Sequence, residues 1–160
     1  MSVTSGLTQR ITPFLWFQGD LQGALDLYTS VFADSEVLAT TERGGELFAA
    51  TFRVGGIELS GFNAEGGPAF TDAISLFVDC VDQAEVDFYW DALLAGGGRP
   101  TQCGWLVDRF GVSWQVVPRR LMELLEDPDP ERAQRATAEM MTQVKLDVAR
   151  LEAAADGTLG

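Results

Sequence analysis

Apolar and polar positions follow two periods in turn along the first part of the chain, one typical of strands and one typical of helices. Residues 11–18 (ITPFLWFQ) form a short apolar run with a proline near its start, which favours a strand entering a sheet. From Asp20, apolar residues recur at helical spacing, and Asp20 itself is available as the N-cap. Residues 36–41, 47–54 and 57–63 predict three further short strands, separated by glycine pairs. The predicted order is therefore strand, helix and three strands.

The same order of elements returns in the middle of the chain. Residues 73–94 contain a second strand-like run followed by a second amphipathic helix. Sliding the sequence by 61 positions against itself places Tyr28 on Tyr89 and superposes the two apolar strands, and at a shift of 55 the last strands correspond. The pattern predicts an internal duplication, with module one at residues 11–63 and a shorter module two at 73–117.

The remaining segment, residues 118–155, is predicted to be a helical extension. A first helix is expected over residues 119–126, and Asp129 and Pro130 provide the N-cap and first position of a longer one. That longer helix would carry an apolar stripe at three- and four-residue spacing: Met140, Val144, Val148 and Leu151. The stripe either packs on its own domain or covers a partner subunit. Residues 153–160 are expected to be frayed.

Composition is typical of many globular folds, but the net charge excludes some classes of binding partner. With 46% hydrophobic and 22% charged residues, the 160-residue chain has an ordinary globular composition. Its 24 acidic residues outnumber 11 basic ones, and the formal net charge of −13 repels nucleic acid and anionic lipid. No apolar stretch approaches the roughly 18 residues of a membrane span, and no secretory leader pattern opens the chain. We therefore expect a cytoplasmic protein that binds neither nucleic acid nor a membrane.

The absence of histidine limits the chemistry most. It removes the commonest general base near neutral pH, the commonest transition-metal ligand, and any Ser-His or Cys-His nucleophile within one chain. The two cysteines, Cys80 and Cys103, are expected to be reduced and mostly buried, since spacing alone signals no disulfide. Cys103 is interpreted as a packing thiol because no histidine is available to activate it.

Four strings together resemble a known family: ITPFLWF; AISLFVDC with Gln83 and Glu85-Val86-Asp87; CGWLVDRFGVSWQVVP; and DPDPERAQR. They are similar to the PhnB-like branch of the vicinal-oxygen-chelate (glyoxalase/bleomycin-resistance) superfamily, over residues 11–154. The string at residues 103–118, C-G-W-x-x-D-x-x-G-x-S-W-Q-x-x-P, is the most specific part. The resemblance implies an α+β fold in which two βαβββ modules form a cup-shaped mixed sheet with C-terminal helices, as a single domain over residues 1–160.

Members of this branch are often labelled 3-demethylubiquinone-9 3-methyltransferase, but the sequence does not predict methyl transfer. A methyltransferase that uses S-adenosylmethionine usually has a glycine-rich loop between its first parallel strand and the following helix. Here the glycine run at residues 96–98 follows a predicted helix and precedes a strand, which is typical of a helix end and a turn.

The resemblance also implies where a metal would be bound. In metal-using relatives, the first and last strands of each module supply four ligands. Counting back from the helix tyrosines places the first-strand positions at Pro13 and Ile74, and the last-strand positions fall at Ser60 and Gln115. Proline and isoleucine offer no ligand atom, and serine and neutral glutamine hold divalent ions poorly. We expect neither a metal nor another cofactor.

Strand alternation relative to these positions predicts which side chains line the cup. The residues expected to face the cup are Leu15, Phe17, Glu58, Phe62, Leu76, Val78 and Ser113. Those expected to face the helices are Phe14, Trp16, Phe77 and Trp114. Trp105 is placed near the cup mouth, because the CGW string leads into the closing strand. The candidate ligand-binding residues are Phe17, Glu58, Ser60, Phe62, Trp105, Ser113 and Gln115.

Three functions are compatible with these residues. The leading hypothesis is metal-independent binding or sequestration of a small, largely apolar molecule in the cup. The second is an enzyme of lyase, isomerase or dioxygenase type with a rebuilt site. In a dry cup Glu58 would serve as a base with a raised pKa; the alternative for Glu58 is a solvated edge carboxylate. The third is a structural or regulatory dimer with a filled cup. We expect a homodimer, from the resemblance and from the apolar stripe of the extension.

Overall fold

A computed structural model of the chain describes residues 8–160. The chain divides into two compact units, with the boundary between Phe70 and Thr71. Each unit contains a mixed four-stranded sheet with helices, so the fold is α+β, as predicted. No helix in the described part is long and apolar enough to cross a membrane. Whether the two modules act as one domain stays a prediction.

The first unit contains one βαβββ module. Its elements are β1 (Phe14–Phe17), α1 (Leu21–Val31), β2 (Glu36–Arg43), β3 (Glu46–Val54) and β4 (Ile57–Asn63). The strand order is β1-β4-β3-β2, in which β1 is parallel to β4 and the other pairs are antiparallel. Asp20 caps α1 as predicted, since its carboxylate accepts a hydrogen bond of 3.0 Å from the Gly23 backbone N–H.

Helix α1 covers one face of the first sheet. The Leu21 backbone N–H donates to Asn63 Oδ1 at 2.9 Å, which fixes the start of the helix beside the end of β4. The core between helix and sheet consists of side chains that are at most 1% exposed: Phe17, Leu21, Ala24, Leu25, Tyr28, Phe52 and Leu59. We call this side of the sheet the helix face and the opposite side the open face.

The second unit repeats the module and adds the extension. Its elements are β5 (Leu76–Cys80), α2 (Gln83–Leu94), β6 (Arg99–Pro100), β7 (Trp105–Val107), β8 (Ser113–Pro118), α3 (Arg119–Leu125), α4 (Pro130–Met140) and α5 (Val148–Asp156). The strand order β5-β8-β7-β6, with β5 parallel to β8, is the order of the first sheet. The structure therefore confirms the duplicated βαβββ pattern, with shorter β6 and β7 in module two.

The extension differs from the single long helix predicted from the apolar stripe. Helix α4 ends at Met140, and α5 begins at Val148 with Asp147 as its N-cap. Between them, Val144 is 45% exposed, whereas Leu146, which lies outside the predicted stripe, is fully buried. The predicted continuous helix is wrong because the segment between α4 and α5 hydrogen-bonds to another part of the same unit.

The C-terminal end of the extension is also more ordered than predicted. Residues 153–156 belong to α5, and Ala154 and Ala155 are buried. The three helices share a core with the end of β8: Val117, Leu121, Leu124, Ala136, Leu146, Leu151 and Ala155. The extension is thus an integral part of the second unit.

Candidate functional site

The pairing of β1 with β4 corrects the face predicted for β1. Phe14 lies beside Ser60 and Trp16 beside Phe62. Directly paired residues point to the same side of a sheet, so these two aromatic residues share the open face with Ser60 and Phe62. Phe17 therefore points to the helix face, where it is 1% exposed. Its predicted place in the cup is wrong.

The same correction applies to the implied metal positions in module one. The residue beside Ser60 is Phe14 rather than Pro13, which precedes the strand and contributes only its carbonyl to the Ser60 backbone N–H at 3.0 Å. A phenyl ring is no better a metal ligand than a proline. The change of register therefore leaves the open face of module one without a metal-ligating pair at these two positions.

Four aromatic side chains form a group on the open face of module one, in which Phe62 contacts the other three. The Phe62 ring centroid lies 4.8 Å from that of Trp16, 5.4 Å from Phe14 and 5.6 Å from Phe48. These distances are typical of favourable tilted and edge contacts. Phe14 is 47% and Trp16 is 43% exposed, so rings remain accessible to solvent. We call these four residues the aromatic cluster.

A bulge explains how Phe48 joins the cluster. Thr41 pairs with Ala49, and the next residue of β2, Glu42, pairs with Leu47, so Phe48 is an extra residue without a partner in β2. Bulges of this kind turn a side chain away from its regular alternation. The Arg43 guanidinium carbon lies 3.7 Å from the Phe48 ring centroid, in cation–π contact.

The loop after β4 supports the same side of the cluster. Gln18 Nε2 donates to the carbonyl oxygens of Gly67 and Pro68 at 3.4 and 3.0 Å. A side chain at Gly67 would place its Cβ 3.4 Å from Trp16 Cε3, so the loop backbone lies close against the indole. The exposed ring is therefore held in place by local structure.

Polar groups continue the open face beside the aromatic cluster. Thr51 and Ser60 are directly paired, are 0% and 3% exposed, and have hydroxyl oxygens 3.2 Å apart. Ser60 is the direct partner of Phe14, so this buried hydroxyl pair adjoins the aromatic cluster. The predicted residues Ser60 and Phe62 thus lie on one face, together with two aromatic residues that the sequence had placed on the other.

Glu58 lies on this face but serves as an anchor for the N-terminal segment. Its carboxylate accepts hydrogen bonds from the Thr8 N–H at 2.7 Å, the Thr8 hydroxyl at 2.9 Å and the Gln9 N–H at 3.3 Å. The Gln9 side-chain amide pairs with the Glu58 backbone, accepting from its N–H at 2.9 Å and donating to its carbonyl at 3.0 Å. The bond from the Thr8 backbone N–H is the largest cause that lowers the pKa of Glu58, although burial opposes it.

These contacts exclude both sequence interpretations of Glu58. A base with a raised pKa is wrong because the pKa is lowered. A solvated edge carboxylate is wrong because the residue is 2% exposed. Glu58 fixes the N-terminal segment against the part of β4 that precedes its pairing with β1. There the side-chain amide of Gln9 makes the two backbone hydrogen bonds that a neighbouring strand would make.

In module two, the open face carries Gln115, Ser113 and Trp105. Trp105 is paired with Gln115, so they share a face. Phe77 also pairs with Gln115 and is 51% exposed, which corrects its predicted direction towards the helices. Leu76 and Val78 alternate with Phe77 and therefore point to the helix face, against prediction. Trp114 lies on that face as predicted and is 2% exposed.

The polar side chains of this second open face bond to the segment before β5. Ser113 Oγ donates to Asp72 Oδ1 at 2.8 Å, and Gln115 Nε2 donates to Ser75 Oγ at 2.9 Å. Val117 follows on the same face by alternation and is buried in the core shared with the extension. The extension thus covers one end of the open face of module two. Ile74, the other implied metal position, is 60% exposed.

The most specific string of the sequence has a structural role around Asp108. Its carboxylate accepts from the Phe110 and Val112 backbone N–H groups at 2.9 and 3.0 Å and from the Trp114 indole N–H at 2.9 Å. Gly111 adopts a φ of 94°, which favours glycine at this turn. The D-x-x-G-x-S-W pattern therefore closes the β7–β8 loop and satisfies a buried indole.

The Cys103-Gly104 turn binds the segment between α4 and α5. The backbone N–H groups of Cys103 and Gly104 donate to the carbonyls of Gln143 and Val144, both at 2.8 Å. A Cβ at Gly104 would lie 2.8 Å from Leu146 Cδ1, and its φ is 82°. Cys103 is half-buried, with its Sγ 3.8 Å from Met141 Sδ.

Helix α2 holds the same segment from its other side. Gln83 Nε2 donates to the Leu146 carbonyl at 3.0 Å, and Gln83 Oε1 accepts from the Val148 N–H at 2.8 Å. Lys145 Nζ lies 2.7 Å from Asp87 Oδ1. The string residues Gln83 and Asp87 are therefore explained by docking of the extension.

The described residues lack the usual features of a metal site and of a methyl-donor site. Among residues 8–160 there is no group of three or more His, Cys, Asp or Glu side chains arranged to hold a metal ion. The glycine run after α2 forms a turn: the Gly98 N–H donates to the Leu94 carbonyl at 3.0 Å, and Gly96 and Gly97 have positive φ. This run ends a helix, so it does not form the loop that a methyl donor's nucleotide part requires.

Comparison with known proteins identifies the family. A family model described as 3-demethylubiquinone-9 3-methyltransferase matches residues 9–117. The chain belongs to this family. The match ends at the end of β8, so the extension lies outside the matched region. No significant match to a curated protein was found.

One solved structure agrees with this family, and a second has the same fold. A putative 3-demethylubiquinone-9 3-methyltransferase, the PhnB protein from Bacillus cereus, is 30% identical with a TM-score of 0.63. The match covers 69% of this chain and 99% of that chain. Protein PA1353 from Pseudomonas aeruginosa is 22% identical with a TM-score of 0.56, over 69% of this chain and 98% of that one. The first similarity supports the PhnB-like family, as predicted, and the second supports the fold.

A more distant neighbour shows that the fold also occurs with a metal. The fosfomycin resistance protein FosX from Listeria monocytogenes, described as complexed with Mn(II) and sulfate, is 15% identical with a TM-score of 0.50. The match covers 68% of this chain and 89% of that chain. At this identity the comparison supports the fold alone.

Proposed function

We propose that this protein binds a small aromatic molecule on the open face of module one, without a metal ion. The observation that carries the proposal is the aromatic cluster, with Phe14 47% and Trp16 43% exposed although each packs against Phe62. Exposed rings that are already ordered bind a flat apolar ligand with little loss of side-chain entropy. The proposed site is Phe14, Trp16, Phe48 and Phe62, with Thr51 and Ser60 as polar neighbours.

Module one is preferred over module two for a structural reason. The open face of module two is covered at its Val117 end by the extension, and Ser113 and Gln115 bond within their own unit. Ser113 and Gln115 are therefore assigned to local structure in this proposal, and Trp105, which shares their face, leaves the candidate set with them. Phe17 and Glu58 leave the candidate set because one lies under α1 and the other holds Thr8 and Gln9.

The side chains present support ligand binding that does not depend on a metal ion. The sequence contains no histidine. The residues beside Ser60 and Gln115, Phe14 and Phe77, have no ligand atoms. The proposal is therefore binding or sequestration rather than metal-assisted lyase, isomerase or dioxygenase catalysis.

Calorimetry with a neutral aromatic probe tests the proposal. Indole titrated into chelator-treated protein is expected to bind, and Trp16→Ala to weaken binding by about 1 kcal/mol, roughly fivefold in Kd, for one lost ring contact. Phe88→Ala is the matched control, because Phe88 is a 55% exposed aromatic residue on α2 of the other unit. Equal effects of the two substitutions, or binding that depends on added divalent metal, would contradict the proposal.

We further propose a homodimer located in the cytoplasm. The apolar stripe no longer supports pairing, because Leu151 is buried within its own unit. Support comes instead from exposed apolar side chains such as Met141 at 60% and Ile74 at 60%. Sedimentation at micromolar concentration is expected to give twice the chain mass of 17.4 kDa. A single species at the chain mass would refute the dimer.

A further inference from the structure

We propose that the ligand class of the aromatic cluster is an aromatic carboxylate, with its ring against Trp16 and Phe62 and its carboxylate paired with Arg43. This inference rests on the proposed function and specifies it. It assigns a recognition role to Arg43, a residue that lies outside all four strings on which the family resemblance rests.

The first support is the position of the Arg43 guanidinium. Arg43 is the last residue of β2, and its guanidinium carbon is 3.7 Å from the centroid of the Phe48 ring. Phe48 reaches the cluster because it is the bulged residue of β3, and its centroid lies 5.6 Å from that of Phe62. The cation is thereby held at the border of the aromatic cluster.

The second support is that this guanidinium makes no ion pair with any carboxylate of the described residues 8–160. Its directly paired neighbour in β3 is Glu46, yet the two side chains form no salt bridge within 4.0 Å. On the same sheet, Arg53 pairs with Glu36 at 2.5 Å and with Asp34 at 3.6 Å. In a chain of net charge −13, an arginine that contacts a ring and forms no salt bridge with the adjacent glutamate remains available to an external anion.

The third support is the match between guanidinium geometry and a carboxylate. Arginine offers a planar set of N–H donors that binds both carboxylate oxygens, and stacking on a ring restricts it before the ligand arrives. The Phe48 ring contacts both the Arg43 guanidinium, at 3.7 Å, and the Phe62 ring, at 5.6 Å between centroids, so the probe needs a ring and a carboxylate in one small molecule, as in phenylacetate. The net negative charge of the chain repels all anions. An anion without a ring makes no aromatic contacts to offset this repulsion and should therefore bind weakly.

Paired ligands that differ only in charge provide the test. Phenylacetate and phenylacetamide are titrated into chelator-treated protein by calorimetry, at low and at physiological salt. Phenylacetate is expected to bind about fivefold more tightly, with a preference that decreases as salt is added. Arg43→Gln should remove the preference, so that phenylacetate and phenylacetamide bind with equal affinity. Arg99→Gln, which changes an exposed arginine of β6 in the other unit, is the control and should change neither.

The outcomes separate this inference from the function on which it rests. If both ligands bind equally and Trp16→Ala weakens both, aromatic binding stands and the carboxylate class is refuted. If Arg43→Gln and Arg99→Gln lower phenylacetate affinity equally, the preference comes from overall charge and the role of Arg43 is refuted. If neither ligand binds, both the inference and the proposed function are overturned.

Discussion

Leu146→Ala should destabilise the second unit strongly although Leu146 lies outside the predicted apolar stripe. Its side chain is fully buried in the core formed by the extension and Val117. The Gly104 backbone packs so closely against it that a Cβ there would be 2.8 Å from Leu146 Cδ1. Because that backbone has little freedom to fill a cavity, we expect a loss of about 3 kcal/mol, which lowers the Tm by about 6–12 °C.

The matched control is Val144→Ala, two residues away in the same segment. Val144 is 45% exposed, so its truncation should change the free energy of unfolding by at most about 0.5 kcal/mol. Both variants are measured by urea unfolding and by calorimetry. A continuous helix with the predicted stripe would make Val144 the more sensitive position. Equal effects, or a larger effect at Val144, would refute the docking of this segment on the Cys103-Gly104 turn.

Three further predictions concern other parts of the chain. The lowered pKa of Glu58 contributes stability that is fully present above the ordinary pKa of a glutamate and is lost as pH falls through the lowered one. Glu58→Gln should abolish this pH dependence and reduce the hydrogen-exchange protection of the Thr8 amide, because a neutral amide oxygen is a weaker acceptor than a carboxylate. Asp108→Ala should cost about 1–3 kcal/mol in urea unfolding, because it leaves the buried Trp114 indole N–H without this acceptor; no loss would contradict the loop assignment. Burial raises the pKa of Cys80 to about 12, so a thiol reagent at pH 8 should modify only one cysteine of the native chain and both after unfolding.

Sequence reasoning succeeded where apolar and polar residues alternate. In β4, Glu58, Ser60 and Phe62 alternate with buried Leu59, and the structure places these three on one face. The whole of β1 is apolar, so its four residues, FLWF, contain no signal for the face they occupy. The assignment by counting from the helix tyrosine was therefore wrong by one residue, and it inverted the places of Phe17 and Trp16.

Other features were beyond the sequence because they depend on contacts between distant segments. The bulge that brings Phe48 to Phe62 follows from the register of two strands, which the sequence pattern does not encode. The break after Met140 follows from the carbonyls of Gln143 and Val144, which bond to the Cys103-Gly104 turn, 40 residues earlier along the chain. A periodic apolar stripe predicts a helix correctly only when no such competing partner exists.

The indole signals of a proton–nitrogen NMR spectrum test the central claim most directly. The chain contains four tryptophans, and only Trp16 belongs to the aromatic cluster. When a small aromatic ligand is titrated into metal-free protein, the account predicts a saturable shift of the Trp16 indole signal, with Trp90 and Trp114 unchanged because they are 6% and 2% exposed. A Trp16 signal that does not move at saturating ligand, or that moves only after a divalent metal is added, would contradict it.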